Sequence, residues 1–126
     1  MTQENKELLL KDLCARLPYG VKISIPELWT SEKKIEVLNE IFKGDDGEFR
    51  CNDSGMLIKH VKSYLFPLSS MTEEQKKEQE AHFTCIKHDM SFSICRYMEW
   101  CYKNHLDING LIPKGLAIDA TELNIY

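Results

Sequence analysis

The chain has 126 residues, 43% of them hydrophobic and 29% charged, which is enough apolar content for one independent core and excludes wholesale disorder. Sixteen basic residues face 20 acidic ones, a net charge of −4, and the basic ones are scattered, so the footprint of a protein that binds nucleic acid polymers is missing. No apolar run approaches the ~20 residues that span a bilayer, and Met1 to Lys11 is polar and mixed in charge rather than a signal peptide, so a cytoplasmic protein with no membrane partner is expected.

Asn5 to Leu17 predicts a short amphipathic helix, with Leu9, Leu10, Leu13 and Leu17 on one face. Pro18 ends it and Tyr19-Gly20 turns the chain. Val21, Ile23 and Ile25 then alternate with Lys22 and Ser24 as a half-buried strand, which Pro26 stops or places at a sheet edge. Glu27 to Lys34 reads as a loop carrying Trp29. Lys33 to Phe42 fits two patterns. Ile35, Val37, Asn39 and Ile41 alternate as in a strand, while Ile35, Leu38, Ile41 and Phe42 share a helical face. The turn chemistry of Gly44-Asp45-Asp46-Gly47, followed by the alternating Glu48-Phe49-Arg50-Cys51, decides for a β-hairpin. Asn52-Asp53-Ser54-Gly55 makes a second turn and Met56 to Val61 a further short strand.

Pro67 breaks the chain again. Ser70 and Glu73 read as a capping box that starts a solvated helix from Thr72 to about His88. Asp89 or Ser91 caps another helix, whose packed stripe is Ile94, Met98 and Cys101, widened by Tyr97 and a buried Trp100. Asn104 closes it in the left-handed conformation. The remainder turns at Asn109-Gly110 and Pro113-Lys114-Gly115. The expected fold is α+β: an N-terminal helix, a small antiparallel β-sheet, two C-terminal helices and a packed, turn-rich tail, in a single domain over residues 1–126.

Three blocks carry a resemblance. They are residues 5–21, with Leu8-Leu9-Leu10-Lys11-Asp12-Leu13 and Leu17-Pro18-Tyr19-Gly20-Val21; residues 61–74, with Tyr64-Leu65-Phe66-Pro67-Leu68-Ser69-Ser70; and residues 104–117, with His105-Leu106-Asp107 and Leu111-Ile112-Pro113-Lys114-Gly115. Together they resemble the recurring blocks of an uncharacterised family of small proteins from prophages and mobile elements of gut Bacteroides-type bacteria. The chain departs from that pattern at Ser63, where proline is usual, and at Ile108-Asn109, where an aromatic and an arginine are common. The resemblance implies a phage or mobile-element accessory protein in a bacterial cytoplasm, in a setting where counter-defence factors are frequent. Some of those inhibit a host protein, and others form homo-oligomers that sequester a nucleotide-derived immune signal.

The residues offer few sites. Lys62, Tyr64, Ser69 and Ser70 precede a helix N-terminus, where free N–H groups and a lysine suit an anion. His105, Asp107 and Lys114 form a second polar cluster, and if the two clusters meet they suit a small anionic, nucleotide-type ligand. Trp29 and Phe42 are candidate interface residues. His82, Cys85, Cys101 and His105 are the residue types of a zinc set, but their order is irregular and the cysteines fall on helical core stripes, so no metal and no cofactor are expected. The five cysteines read as reduced thiols. Asp45, Asp46, Glu48 and Asp53 read as a solvated turn. The expected function is a non-enzymatic binding protein that sequesters a small nucleotide-derived signal as a homo-oligomer. One alternative is an inhibitor or adaptor acting on a host defence protein. The other is a small hydrolase of such a signal, drawn from Ser69 or Ser70 with His105, although neither serine sits in a nucleophile elbow.

Overall fold

The computed structural model describes residues 1–26, 33–88 and 90–126, so the expected Trp29 loop and Asp89 cap lie outside the described residues. Helix α1 spans Gln3–Arg16. It starts earlier than expected because the Thr2 side chain accepts from the Asn5 N–H at 3.1 Å, satisfying one of the free donors of the first turn. Its buried face is Leu9, Asp12, Leu13 and Arg16, rotated from the all-leucine stripe, with Leu10 and Leu17 only half-buried. Two charged residues therefore take core positions.

The strands are β1 (Lys22–Pro26), β2 (Lys33–Val37), β3 (Ile41–Lys43), β4 (Phe49–Cys51), β5 (Met56–Leu57), β6 (Lys62–Leu65) and β7 (Ala117–Asp119). They form two sheets rather than one, in the orders β2-β1-β6-β7 and β3-β4-β5. The class is α+β and the pairings are antiparallel, except that β7 runs parallel to β6. β1 is central, and Ile23, Ser24 and Ile25 are all buried, so the alternation of its side chains does not report one wet face. Pro26 ends β1 rather than marking an edge. β6 is the other central strand. Ser63, Tyr64 and Leu65 are buried in succession, so the strand has no alternating signature, and the sequence pattern assigned no element to it.

Residues 33–42, expected as one arm of a hairpin, divide between the two sheets. Asn52 holds the break. Its backbone takes φ +56°, its Oδ1 accepts from the Asn39 N–H at 3.0 Å, and its Nδ2 donates to the Val37 carbonyl at 2.9 Å. Leu38, buried in the core, donates its N–H to Val21. The hairpin about Gly44–Gly47 forms as expected between β3 and β4, and Arg50 reaches across it to Asp46 at 2.8 Å. Met56 to Val61 is not one strand: β5 gives way at once to a 3-10 turn over Ile58–His60, with Ile58 buried.

Helix α2 spans Glu73–His88 and helix α3 Met90–Lys103. The capping box lies at Thr72 and Gln75, not at Ser70 and Glu73. The Gln75 N–H donates to Thr72 Oγ1 at 3.1 Å and the Thr72 N–H donates to Gln75 Oε1 at 3.0 Å. Ser70 instead donates its hydroxyl to the Pro67 carbonyl. Ser91, the other expected cap, falls within α3. At the far end of α3 the left-handed residue is His105, φ +58°, rather than Asn104. The His105 N–H donates to Tyr102 and the Leu106 N–H to Cys101, which is a Schellman closure with Leu106 packed back into the core.

Candidate functional site

The two segments expected to carry a site are neighbours. Phe66 and Leu106 form a parallel bridge, with the Phe66 N–H donating to His105 and the Asp107 N–H donating to Phe66. Ser63 to Leu65 then run beside Ala117 to Asp119. The side chains, however, are not gathered into one pocket. Lys62 is exposed at the start of β6, while the Tyr64 side chain is buried in the fold. Ser69 and Ser70 line a shallow groove beyond the other end of β6, together with Asp119 and Glu122, a setting that opposes an anion. The Asp107 carboxylate is 6% exposed and is committed to the chain, accepting from the Leu111 N–H at 2.7 Å and the Ile112 N–H at 2.9 Å. Lys114 is exposed in the following turn. The hydroxyl of Ser70 and the ring of His105 have separate partners, so the serine–histidine reading gains no geometry from the fold.

A buried ionic cluster lies beside these segments and was missed from the sequence. Asp12 and Arg16, both 0% exposed, are bonded Oδ2 to Nε at 2.8 Å. Arg16 Nη2 donates to the Leu106 carbonyl at 2.7 Å, and the guanidinium lies 5.0 Å over the Tyr102 ring. Asn109 Nδ2 donates to the second Asp12 oxygen at 2.8 Å. The available signal was that an acid and a base four apart fell on the leucine face of α1, a spacing that usually marks a solvated pair.

Tyr126 forms the shortest ring contact among the described residues. Its ring stacks on His105 with centroids 3.9 Å apart and planes 13° from parallel. Its hydroxyl accepts from the Lys22 N–H at 2.9 Å and donates to the Tyr64 carbonyl at 2.8 Å. Burial pushes the phenol up to about 12. Burial, with Arg16 and Lys22 adding to it, drives His105 down to about 4.

The α2–α3 pair is a different kind of surface. Among the α2 residues none is buried; Gln75, Gln79, His82 and Ile86 are half-buried, on one stripe facing α3. Gln79 Nε2 donates to the Tyr97 hydroxyl at 3.0 Å, and the Trp100 indole N–H donates to Glu78 at 2.8 Å. Trp100 is therefore half-exposed rather than in the core, and Ile94 is 42% exposed rather than packed. His82, Phe83, Tyr97 and Trp100 form a ring ladder between the helices, with centroid spacings from 5.2 to 6.0 Å. Phe83 is 44% exposed. Of the interface residues expected in the β region, Phe42 is half-buried in β3 and Trp29 lies outside the described residues.

The zinc-type set is not assembled. Cys101 is fully buried under α1, Cys85 is exposed on α2 and the His105 ring is stacked under Tyr126. Among the described residues no group of three or more histidine, cysteine or acidic side chains is placed to hold a metal. All five cysteines are free thiols, and burial holds Cys51 up to about 11. Among the described residues no helix is long and apolar enough to cross a membrane. Compared with known proteins, the chain matches no family model, no curated protein and no solved structure.

Proposed function

We propose that the chain is a non-enzymatic binding protein that acts on another protein through its α2–α3 arm. The observation that carries this reading is a 16-residue helix, α2, that buries no residue in its own fold. A helix of this length is marginal in isolation and normally relies on an apolar stripe pressed into a core. Here the stripe is two glutamines, a histidine and one isoleucine, while Phe83 of α2 and Ile94 of α3 are exposed. Aromatic residues with a polar tip dominate the energetics of protein interfaces, and Tyr97 and Trp100 already hold theirs in place with Gln79 and Glu78.

The flank beside the rings favours one kind of partner. Glu73, Glu74, Glu78 and Glu80 are exposed along the first half of α2 against Lys76 and Lys77, on a chain of net charge −4. The complementary surface is an apolar cleft rimmed by lysine or arginine. In the phage or mobile-element setting implied by the resemblance, that partner is a host defence protein in the bacterial cytoplasm, and the activity is counter-defence.

The test is affinity capture from a bacterial host lysate with wild type, Phe83→Glu, Trp100→Glu and the distant control Lys114→Glu, followed by calorimetry on the purified partner. Support is a partner bound by wild type and by the control, with each arm variant weakening it by about 2 kcal/mol or more. A partner retained by both arm variants overturns the reading, as does the lack of any saturable partner for wild type.

A further inference from the structure

The Tyr126 ring occupies a slot whose walls are unusual for a packing site. Below it lies the flat face of His105 at 3.9 Å, and the Phe66 ring stands 5.7 Å away at its side. The Lys22 ammonium is 5.5 Å from the ring centroid. The outer side is open, since Tyr126 is 40% exposed.

The edge of the slot is an opened rung of sheet. β1 and β6 pair Ser24 with Lys62 and Ile23 with Ser63, so the next rung brings Lys22 opposite Tyr64. Those two residues do not complete it directly. The Lys22 N–H and the Tyr64 carbonyl are both taken by the Tyr126 hydroxyl. A backbone donor and a backbone acceptor therefore stand apart and face the ring, as they would to read the edge of a ring substituent.

Two further polar atoms near the floor are unused. His105 Nδ1 and Arg16 Nη1 are buried and have no hydrogen-bond partner among the described residues, although the Arg16 side chain is 0% exposed. Buried polar atoms are rarely left so. The charges of Arg16 and Lys22 both bear on the His105 ring, and both are positive. The φ of +58° at His105, which closes α3, sets its flat ring on the slot floor.

We propose that this slot is a ligand site held closed by Tyr126, and that it takes a planar aromatic ring bearing a negative charge and a hydrogen-bonding edge group, with Tyr126 swinging outward to admit it. Stacking on His105 supplies the face contact, the Lys22 N–H and Tyr64 carbonyl read the edge, and the Lys22 ammonium favours the charge, since the Arg16 guanidinium is already paired with Asp12. A nucleoside monophosphate and a hydroxyphenyl carboxylate both belong to this class. The site is separate from the α2–α3 arm and stands or falls independently of it.

The experiment titrates 4-hydroxyphenylacetate, adenosine monophosphate and the neutral 4-methylphenol into the wild-type chain while the amide resonances of Lys22, Tyr64 and His105 are followed by NMR. The expected result is saturable shifts at those amides with at least one of the anions. Binding of that anion tightens about tenfold in Tyr126→Ala, because the resident ring no longer competes. It weakens about tenfold in His105→Ala, and 4-methylphenol binds about fivefold more weakly than 4-hydroxyphenylacetate. The proposal is overturned if neither anion gives a saturable shift at these amides in wild type up to about 10 mM. Equal binding of the neutral phenol, or no tightening in a folded Tyr126→Ala, overturns it too. Should Tyr126→Ala not fold, the wild-type titration alone decides.

Discussion

Asp12, itself fully buried, divides its two carboxylate oxygens between Arg16 and Asn109, joining the first helix to a turn 97 residues later. An ion pair so placed recovers its desolvation only while both charges and their hydrogen bonds are present. Asp12→Ala leaves a buried guanidinium without its counter-charge, with only the Leu106 carbonyl and the Tyr102 ring beside it, and is expected to lower stability by about 3–5 kcal/mol in urea denaturation. The double change Asp12→Leu with Arg16→Met is expected to lose less than Asp12→Ala alone. An Asp12→Ala variant within about 1 kcal/mol of wild type contradicts this account.

Ser63 presents the opposite case. It is 0% exposed on the central strand β6, and its hydroxyl has no partner among the described residues. Ser63→Ala removes an unpaired buried group with little loss of volume, and an increase of about 1 kcal/mol in urea denaturation is expected. Ser63→Pro is expected to destabilise, since β6 pairs on both sides at this position. A destabilised Ser63→Ala shows that the hydroxyl has a partner such as a buried water.

Protonation of His105 supplies a pH signature. Its folded value, about 4, lies below the ordinary 6.5, so the unfolded chain takes up the proton first as pH falls. The neutral ring's contribution to stability is complete above pH ~6.5 and is lost as pH drops toward ~4, below which no further loss comes from this group. Wild type is expected to lose more stability between those limits than His105→Phe, which keeps a flat ring over which Tyr126 can lie. Identical pH profiles for the two proteins contradict the assignment.

The α2 arm is expected to exchange its amide hydrogens well before α1 or β6, because no apolar side chain of α2 is fully withdrawn from water. Thr72→Ala removes one half of the capping pair and is expected to cost about 1 kcal/mol of local stability, read as faster exchange within α2. Ser70→Ala, whose hydroxyl bonds the Pro67 carbonyl instead, is expected to leave that exchange unchanged. Equal protection of α2 and α1 in wild type contradicts the description of the arm as weakly held.

Local chemistry made several elements legible. α1 showed its helical spacing, and Gly44–Gly47 its turn. Elements defined by what surrounds them were not. β6 is buried on both faces, so Lys62 to Leu65 shows no alternation. The break between β2 and β3 is hidden because the alternation of Ile35, Val37, Asn39 and Ile41 runs straight through it, while the residue that enforces it, Asn52, lies in a different turn. The same holds for the site. Lys62 and Lys114 were expected at a site and Lys22 only on the wet face of a strand, because nothing local announces the packing of Tyr126 against Lys22. The left-handed residue at the end of α3 is His105 rather than the more permissive Asn104, a choice made by the Schellman closure and the Leu106 anchor.

Parallel pairing of β7 with β6, together with the bonds from Asp12, Arg16 and Lys22 to residues 109, 106 and 126, closes loops of 97, 90 and 104 residues. During synthesis, α1 and β1 leave the ribosome long before any of these partners exist. Until then the leucines of α1 have no complete core, and Arg16 lacks its Leu106 acceptor. Such closures are slow to nucleate compared with a helical bundle of the same size. The first helix thus stays unfinished, with part of its apolar face uncovered, until the strand near residue 117 emerges.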